Sequence, residues 1–400
     1  MKKKTVLPLV ALLILCACKP PETPPPSASV EPHSPPPQTA SFLVPGEIDP
    51  DAVSDHVVPA GHAAIDGYAT HNEQLLDAMD TVIDFTLYDG DAGTAERAAA
   101  QVKEELYRLD RLLTRHSEDG GLYAVNQNAG EPTPVDPELY DLIGKSLQYS
   151  RFTGGAFDIS IAPLMDAWDF IGDNPHVPPR AELDALLAHV GYDGVALDGG
   201  SVTLEEGMAI DLGAIAKGYA SSRVAAVLAQ NGIASAKVSL GGNIYVRGTR
   251  PDGQPWRIAI QDPSDDNSYL CVLELADEFA ITSSGSQRFF EQDGTRYYHI
   301  LNPKTGDVAR NGLISASIIC RDGSMGDALS TAAFVLGLDG AVRLWSSGLL
   351  DFEMILADDA GRVYLTQGLA ERFSVDYHSG KAPGDKLVKH EYEYIIITQE

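Results

Sequence analysis

IDLGAIAKGYASSRVAAVLAQNGIASAKVSLGGN, residues 210–243, is the stretch that decides the fold. Apolar residues recur at helical spacing after a turn at Gly213, which predicts a helix. The helix is expected to end at Asn231-Gly232, because glycine tolerates the left-handed conformation of a C-cap. Residues 236–240 then alternate between polar and apolar, as a half-buried strand does. The stretch therefore predicts a loop, a helix and a strand in succession.

Lys217 is expected in the first turn of this predicted helix. Free backbone N–H groups, the positive end of the helix dipole and a lysine together suit a phosphate. The spacing is not that of a P-loop, because no GxxxxGK[ST] pattern is present. The alternative is that Lys217 is an ordinary solvated surface residue.

Composition limits the class of protein. The chain has 400 residues, of which 44% are hydrophobic, enough for the core of one large or two ordinary domains. Its formal net charge is -28, which argues against a general nucleic-acid surface, since phosphate binding needs clustered lysine and arginine. A polyanionic small ligand would need a local cation, and this favours a bound divalent metal over a broad basic cleft.

The first residues form a targeting segment. Lys2 to Lys4 are a positive region, and Thr5 to Leu15 are a short apolar run. Leu15-Cys16-Ala17-Cys18 then fits a lipobox, so we expect Cys18 to be the lipidated first residue of the mature protein. The alternative is an ordinary signal peptide with cysteines in its tail. We expect an exported protein, anchored to a membrane by lipid and facing the periplasm.

The rest of the chain predicts an α+β fold of mostly antiparallel sheets with flanking helices. Its expected parts are a signal segment (1–18), a Pro-rich linker with an ill-defined lead-in (19–75), a folded domain (76–373) and an extension (374–400). We predict strands at 82–88, 236–240, 256–260, 269–275, 278–282, 296–301 and 313–320, and helices at 94–116, 137–149 and 182–189. Residues 392–398 could add an edge strand, and residues 163–179 are expected to form a loop.

Two glycine-containing segments are candidate ligand sites. Gly154-Gly155 would let a ligand approach the backbone closely, and Asp158 could accept a hydrogen bond from a base or ribose. The alternative is a plain glycine turn into a strand at 159–161. The second segment, residues 282–286, is small and polar and is followed by Arg288.

Two further segments carry groups with chemical potential. His299 and Lys304 flank a proline turn in YHILNPKTG, although a lone histidine is usually structural. Asp327 and Thr331 lie one helical turn apart, so both oxygens face the same way, which suits a hard cation. The alternative for Asp327 is a capping box with Ser324 at a helix start.

Cys271 and Cys320 are the cysteines that remain after the targeting segment, both in strand-like surroundings. An oxidising compartment permits a disulfide between them. Two buried thiols are equally compatible with the sequence.

Six motifs occur in one order: GGAFD, DLGAIAKGYA, LGGN, SSG, YHILNPKTG and GDALSTAAFVLG. Together they resemble the ApbE family, the FAD:protein FMN transferases, over about residues 76–373. The resemblance implies the ApbE-like fold and an enzyme that binds FAD with Mg2+, cleaves the pyrophosphate, transfers FMN to a threonine of a partner and releases AMP.

The resemblance also implies site residues. Those implied for the flavin nucleotide are Met79, His116, Ala156, Phe157, Asp158, Lys217, Ser284, Gly285 and His299. Those implied for the metal are Asp327, Thr331 and the backbone carbonyl of Ala214. His116 stands where members usually carry an aromatic residue such as tyrosine, and Asn243 and Asn302 stand where aspartates are common. His299 is the candidate general base, because its unperturbed pKa lies near neutrality, and Asp327 is the second candidate catalytic residue.

The expected partner is an acceptor protein with a Ser/Thr-rich flavinylation motif, such as a membrane electron-transfer subunit. This chain has no convincing copy of that motif. Two alternatives stay open: a Mg2+-dependent FAD pyrophosphatase giving FMN and AMP, and a non-catalytic flavin-binding lipoprotein.

The lipobox generates a direct prediction. Cys18→Ser should leave the protein unprocessed or soluble, because the thiol that would carry the lipid is missing. Metabolic labelling with a radioactive fatty acid measures this, with the wild-type chain as the control. Equal labelling of the two proteins would contradict the lipobox.

Overall fold

The computed structural model of the protein describes residues 68–265, 268–286, 288–375 and 392–399. The predicted signal segment and nearly all of the Pro-rich linker therefore lie outside the described residues. The helices are α1 (Ala92–Leu113), α2 (Gly121–Gln127), α3 (Pro137–Phe152), α4 (Ala162–Trp168), α5 (Arg180–Leu186), α6 (Gly213–Gln230) and α7 (Gly323–Ser346).

The strands, in chain order, are β1 (Ala69–Ala78), β2 (Thr81–Asp89), β3 (Thr133–Pro134), β4 (Val195–Asp198), β5 (Ser201–Leu204), β6 (Ser235–Leu240), β7 (Asn243–Arg247), β8 (Trp256–Gln261), β9 (Tyr269–Leu275), β10 (Glu278–Ser284), β11 (Phe289–Gln292), β12 (Thr295–Tyr298), β13 (Leu313–Cys320), β14 (Glu353–Asp358), β15 (Arg362–Thr366), β16 (Phe373–Ser374) and β17 (Glu393–Ile397).

A nine-stranded sheet organises these elements, in the order β1-β2-β6-β7-β10-β13-β14-β15-β17. Its pairs are antiparallel except for β15 with β17, which run parallel. Smaller sheets are β16-β9-β8, β3-β5-β4 and the hairpin β11-β12. The α+β class and the predominance of antiparallel pairing are confirmed.

The large sheet is buried on both faces at its centre. In β13, Ile318 packs with the helices in the main core, whereas the next residue, Ile319, packs into a second core with β8 and β9. Successive strand residues point to opposite faces, so a strand buried on both sides needs an almost continuous apolar run. This explains why LISASIIC, the sequence of β13, has so little polar character.

Helix α7 lies in the main core. It is the one described helix long and apolar enough to cross a membrane, but 61% of its apolar window is buried inside the fold. A core helix of a soluble protein has the same composition. Gly337 interrupts it with φ 72°, and the amide of Asn311 donates to the carbonyls of Phe334 and Val335 there.

Several predicted boundaries are wrong. The first described strand begins at Ala69, ahead of the expected start near Leu76, because the polar run before Leu76 pairs with β2 as the edge strand β1. The expected strand at 159–161 is a 3₁₀ turn, which Asp158 caps by accepting the Ser160 N–H. Part of the expected loop at 163–179 is helix α4, which tolerates Pro163 in its first turn because that N–H needs no partner.

The structure answers two questions that the sequence left open, one about a strand near residue 395 and one about the cysteines. The edge strand expected at 392–398 is confirmed as β17. Cys271 and Cys320 are free and buried, so they do not form the disulfide that the sequence permitted. Burial raises the pKa of the Cys320 thiol to about 12, which keeps it protonated.

A network of charges joins three helices. Glu105 of α1 accepts hydrogen bonds from Arg108 at 2.8 Å and from Arg223 of α6 at 2.9 Å. Glu138 of α3 accepts from Arg108 at 2.7 Å and from the Tyr219 hydroxyl at 2.6 Å. The Glu105 side chain is only 13% exposed. The network therefore fixes α1 and α3 against α6, whose first turns are part of the cavity described below.

This network predicts acid sensitivity. Hydrogen bonds from Arg108, opposed by burial and assisted by Arg223, lower the pKa of Glu105 to about 2. Its contribution to stability is therefore present above the unfolded-state pKa of about 4.3 and is lost as the pH falls toward 2. Glu105→Gln should lower the free energy of unfolding at pH 7 by about 1–2 kcal/mol and flatten its pH dependence below about pH 5. Urea denaturation at a series of pH values measures this.

Glu96→Gln is the matched control, because Glu96 lies on the same helix but is exposed. Its unfolding curve should follow that of the wild type. Identical acid profiles for Glu105→Gln and the wild type would contradict a stabilising ionised Glu105.

Candidate active site

A cavity of about 640 Å³ opens where the β1–β2 turn, the start of α6, the end of β10 and the first turns of α7 meet. This volume lies within the range that small-molecule and cofactor sites occupy. The predicted site residues that line it are Met79, His116, Ala156, Phe157, Asp158, Ala214, Lys217, Ser284, His299, Asp327 and Thr331. Residues as far apart in the sequence as Met79 and Thr331 therefore share one site.

The start of α6 faces the cavity. Gly213, Ala214 and Lys217 line it, and Asp211 accepts the Gly213 N–H at 2.6 Å, in place of a side-chain cap from Leu212. The Lys217 ammonium donates to the carbonyl of Gly213 at 3.4 Å. Leu212 accepts the Ile215 and Ala216 N–H groups, so the helix dipole and the Lys217 ammonium are the features of this helix start that suit phosphate oxygens.

Helices α6 and α7 cross in backbone contact beside this region. A Cβ on Gly218 would overlap the carbonyl of Gly323 and lie 2.6 Å from Asp327 Cβ. A Cβ on Gly323 would overlap the carbonyl of Gly218 in return. Only glycine at both positions allows this approach, and the approach brings Asp327 of α7 against α6.

Asp327 is held from both sides. Its Oδ2 accepts the Gly218 N–H at 2.8 Å, and its Oδ1 accepts from the Asn243 amide at 3.1 Å. Asp327 is 4% exposed, so these donors compensate for the loss of water around the carboxylate. The capping-box alternative is wrong, because the residue that caps α7 is Asp322, which accepts the Met325 N–H.

The Gly218 contact also bears on Ala214. In a regular helix the Gly218 N–H donates to the Ala214 carbonyl four residues earlier, and here Asp327 competes for that N–H. A carbonyl oxygen has two lone pairs, so the Ala214 oxygen, on a residue that lines the cavity, keeps acceptor capacity beyond that N–H. On α7, Thr331 follows Asp327 by one turn, and its hydroxyl lies 3.3 Å from that of Ser283.

These oxygens fit a hard cation. A carboxylate, a hydroxyl and a backbone carbonyl are ligand types that Mg2+ accepts, with water completing its octahedron. Within the described parts of the chain, no group of three or more histidine, cysteine, aspartate or glutamate side chains could hold a metal. A site here would depend on the mixed set of Ala214, Asp327 and Thr331.

Asp158 has a structural function that the sequence did not indicate. One carboxylate oxygen accepts from the N–H and hydroxyl of Ser160, and the other accepts the Tyr192 N–H at 3.0 Å. Burial raises its pKa, although these hydrogen bonds oppose the shift. Asp158 therefore holds in place the cavity wall formed by Ala156 and Phe157. Its oxygens keep lone pairs that can accept further hydrogen bonds from a ligand.

The other wall contains His299 and the end of β10. The backbone N–H of His299 donates to the backbone carbonyl of Arg288 at 3.2 Å. Ser284 lines the cavity, and its hydroxyl lies 2.7 Å from that of Ser286. Gly285 is the predicted site residue that the described cavity lining does not include; it packs beside Tyr298, whose ring a Cβ would approach to 2.9 Å.

Arg115 is a cavity residue that the sequence analysis did not single out. It donates to Asp211 at 2.6 Å and to Asp166 at 2.7 Å, and its side chain is 11% exposed. Burial opposes its charge, but the two aspartates outweigh burial and raise its pKa. In the sequence, its position directly before His116 was the one sign that Arg115 could belong to the site, because its two partners lie 51 and 96 residues away.

The chain is similar to known proteins over most of its length. The model of the ApbE family matches residues 79–356, more than half of the chain. The FAD:protein FMN transferase of Salmonella typhimurium is 30% identical over 280 residues, which cover 68% of this chain and 80% of that protein. The enzyme of the same name from Treponema pallidum is 34% identical over 275 residues, covering 62% and 76%.

Solved structures are similar over a comparable span. The ApbE protein of Thermotoga maritima aligns with a TM-score of 0.70 and 29% identity, covering 75% of this chain and 97% of that one. The flavin transferase ApbE of Vibrio cholerae aligns with a TM-score of 0.68 and 25% identity, covering 76% and 99%.

The helix crossing generates a prediction. Gly218→Ala should lower the free energy of unfolding by about 1–3 kcal/mol, the range for overpacking, because the new methyl group must separate α6 from α7. Thermal denaturation measures the loss. Gly144→Ala is the matched control: Gly144 also lies inside a helix, and its Cβ would meet only Leu197 Cδ1, at 3.3 Å. Helix propensity favours alanine there, so equal destabilisation of the two variants would contradict the importance of the crossing.

Proposed function

The chain belongs to the ApbE family, and we propose that it is an FAD:protein FMN transferase, which moves FMN from FAD to a threonine hydroxyl of a partner protein and releases AMP. One observation carries the proposal. A single cavity of about 640 Å³ combines the phosphate-compatible start of α6 with the buried carboxylate of Asp327. This is the combination that a diphosphate substrate and its counter-cation need.

We propose Mg2+ as the cofactor, held by Ala214, Asp327 and Thr331. When bound, the ion neutralises diphosphate oxygens and stabilises the leaving phosphate of AMP. Gly218 and Asn243 hold Asp327 in one orientation in the cavity lining, and each of its oxygens keeps a lone pair beyond those two hydrogen bonds. The hydroxyl of Ser283 supports that of Thr331 in the same way.

His299 is the proposed general base. A threonine hydroxyl is a poor nucleophile until its proton is removed, and a neutral imidazole can accept that proton near neutral pH. The threonine Oγ–P bond forms, the bond from that phosphorus to the bridging oxygen breaks, and the bridging oxygen leaves with AMP. The backbone N–H of His299 donates to the Arg288 carbonyl, so the main chain of His299 is held on that side of the cavity while its imidazole is a separate group.

The acceptor and the cellular location belong to the same proposal. The relatives' name implies a protein acceptor. We propose that the acceptor has a Ser/Thr-rich motif and belongs to a membrane electron-transfer complex. Lipid on Cys18 and the Pro-rich linker would then keep the enzyme at the membrane surface, facing the periplasm.

Mass spectrometry of a candidate acceptor peptide after incubation with the protein, FAD and Mg2+ tests the function. The peptide should gain the mass of FMN less one water on threonine, and replacing that threonine with alanine should abolish the gain. FAD cleavage should be slow without the peptide, because water must be kept from the phosphate. Rapid release of FMN and AMP with no labelled peptide would favour the pyrophosphatase, and intact bound FAD would favour a flavin-binding protein.

Two variants separate the proposed contributions. His299→Ala should slow transfer by about 10²–10⁴-fold, the usual contribution of a general base, and should leave FAD binding intact. Asp327→Ala should abolish Mg2+-dependent transfer and also weaken Mg2+ binding, measured by isothermal titration calorimetry. Wild-type rates in a folded Asp327→Ala protein would overturn the metal assignment.

A further inference from the structure

The cavity is acidic for a site that receives a diphosphate. Seven aspartates line it: Asp80, Asp110, Asp158, Asp166, Asp169, Asp211 and Asp327. Three permanent cations line it: Arg115, Lys217 and Arg288. A diphosphate that enters must therefore be met by cationic charge that the aspartates have not already neutralised.

The three cations differ in whether a carboxylate already balances their charge. Arg115 forms ion pairs with both Asp166 and Asp211, so its charge is already balanced. Arg288 forms no ion pair with a carboxylate in the described ranges, and its guanidinium donates to the backbone carbonyl of Asp80 at 2.8 Å. Lys217 forms no ion pair within the part of the chain that the structure describes, and its ammonium donates to the Gly213 carbonyl. Among the described cations of the cavity, Lys217 and Arg288 therefore supply the available positive charge.

Arg288 also occupies a distinctive position. It stands at the start of the β11–β12 hairpin, and its bond to Asp80 reaches across to the β1–β2 turn. The backbone carbonyl of Arg288 accepts the backbone N–H of His299, and this bond joins Arg288 to the residue that follows the hairpin. The φ of Arg288, 46°, lies in the left-handed region that a residue with a side chain rarely adopts. Such a conformation persists only where the surrounding contacts impose it, and it is enriched at functional sites.

We propose that Arg288 binds the diphosphate of FAD, and that it contacts the phosphate that the acceptor threonine attacks. The inference rests on the proposed function. A guanidinium has five N–H donors, so Arg288 can keep the Asp80 carbonyl and still present its remaining donors to phosphate oxygens. Arg288 and His299 both line the cavity, and a backbone hydrogen bond joins the two residues, so this charge belongs to the segment beside the proposed base.

The charge would act at one point of the reaction. The phosphate oxygens repel an incoming threonine oxygen, and a guanidinium beside them reduces that repulsion. The threonine proton goes to His299, and the electron pair of the broken bond goes to the bridging oxygen that leaves with AMP. Arg288 contributes charge to this step, and none of its own covalent bonds changes.

Two substitutions separate charge from hydrogen bonding. Arg288→Gln removes the charge but retains an amide that can donate to the Asp80 carbonyl. Arg288→Lys retains the charge but loses the planar fork. Arg296→Gln is the matched control, because Arg296 lies on the same hairpin, pairs with Glu291 and is absent from the cavity lining. Thermal denaturation of each variant establishes that it is folded.

FAD affinity, measured by flavin fluorescence titration with Mg2+ at two salt concentrations, decides the proposal. Arg288→Gln should weaken FAD binding about tenfold or more, as expected for a lost charge-assisted hydrogen bond, and should reduce the salt dependence. Arg288→Lys should recover much of the affinity, and Arg296→Gln should bind as the wild type does. Wild-type affinity in Arg288→Gln, or equal loss in the lysine and glutamine variants, would overturn a role for the charge.

Transfer kinetics distinguish this proposal from the proposed function. At saturating FAD, Arg288→Gln should also transfer FMN to the acceptor peptide more slowly, since the charge acts on the attacked phosphate. If the wild type binds FAD but labels no acceptor, the transferase assignment fails, whereas the affinities still decide whether Arg288 binds the diphosphate. Weaker FAD binding with an unchanged transfer rate at saturation would overturn the contact with the attacked phosphate.

Discussion

The site depends on the approach of two helix backbones at Gly218 and Gly323. Neither position has room for a Cβ, because each would overlap the carbonyl of the other residue. This approach lets the Gly218 N–H reach Asp327, so a helix backbone supplies a donor that normally stays inside the helix. Packing and chemistry are therefore inseparable here: the contact that joins two core helices also orients the buried carboxylate.

The layers around this crossing explain its rigidity. Helices α6 and α7 lie in the main core against the nine-stranded sheet, whose other face is covered by β8 and β9. The network of Glu105, Arg108 and Glu138 holds α1 and α3 to α6 on the outer side. Loops form other walls of the cavity, and local hydrogen bonds fix them instead. Asp158, for example, accepts hydrogen bonds from three donors.

The sequence predicted the parts that local pattern controls. The helix of residues 213–230 and the antiparallel strands around it follow from periodicity and glycine signals. The prediction from sequence failed at β1, because a polar edge strand lacks a strong apolar alternation. It also missed the structural function of Asp158, whose partner Tyr192 lies 34 residues away. Similarly, a capping-box spacing could not reveal that Asp327 turns toward α6, since that depends on a crossing between distant helices.

The parallel pairing of β17 with β15 has a consequence for how the chain acquires its structure. The strand β17, residues 393–397, is the last described element and closes one edge of the large sheet. During synthesis from the N-terminus it emerges after all the other described strands. The edge of β15 that pairs with β17 therefore waits for its partner until residues 393–397 have been made, and during that interval it can pair with a strand from another molecule. A newly made chain is accordingly more exposed to intermolecular association than the finished protein.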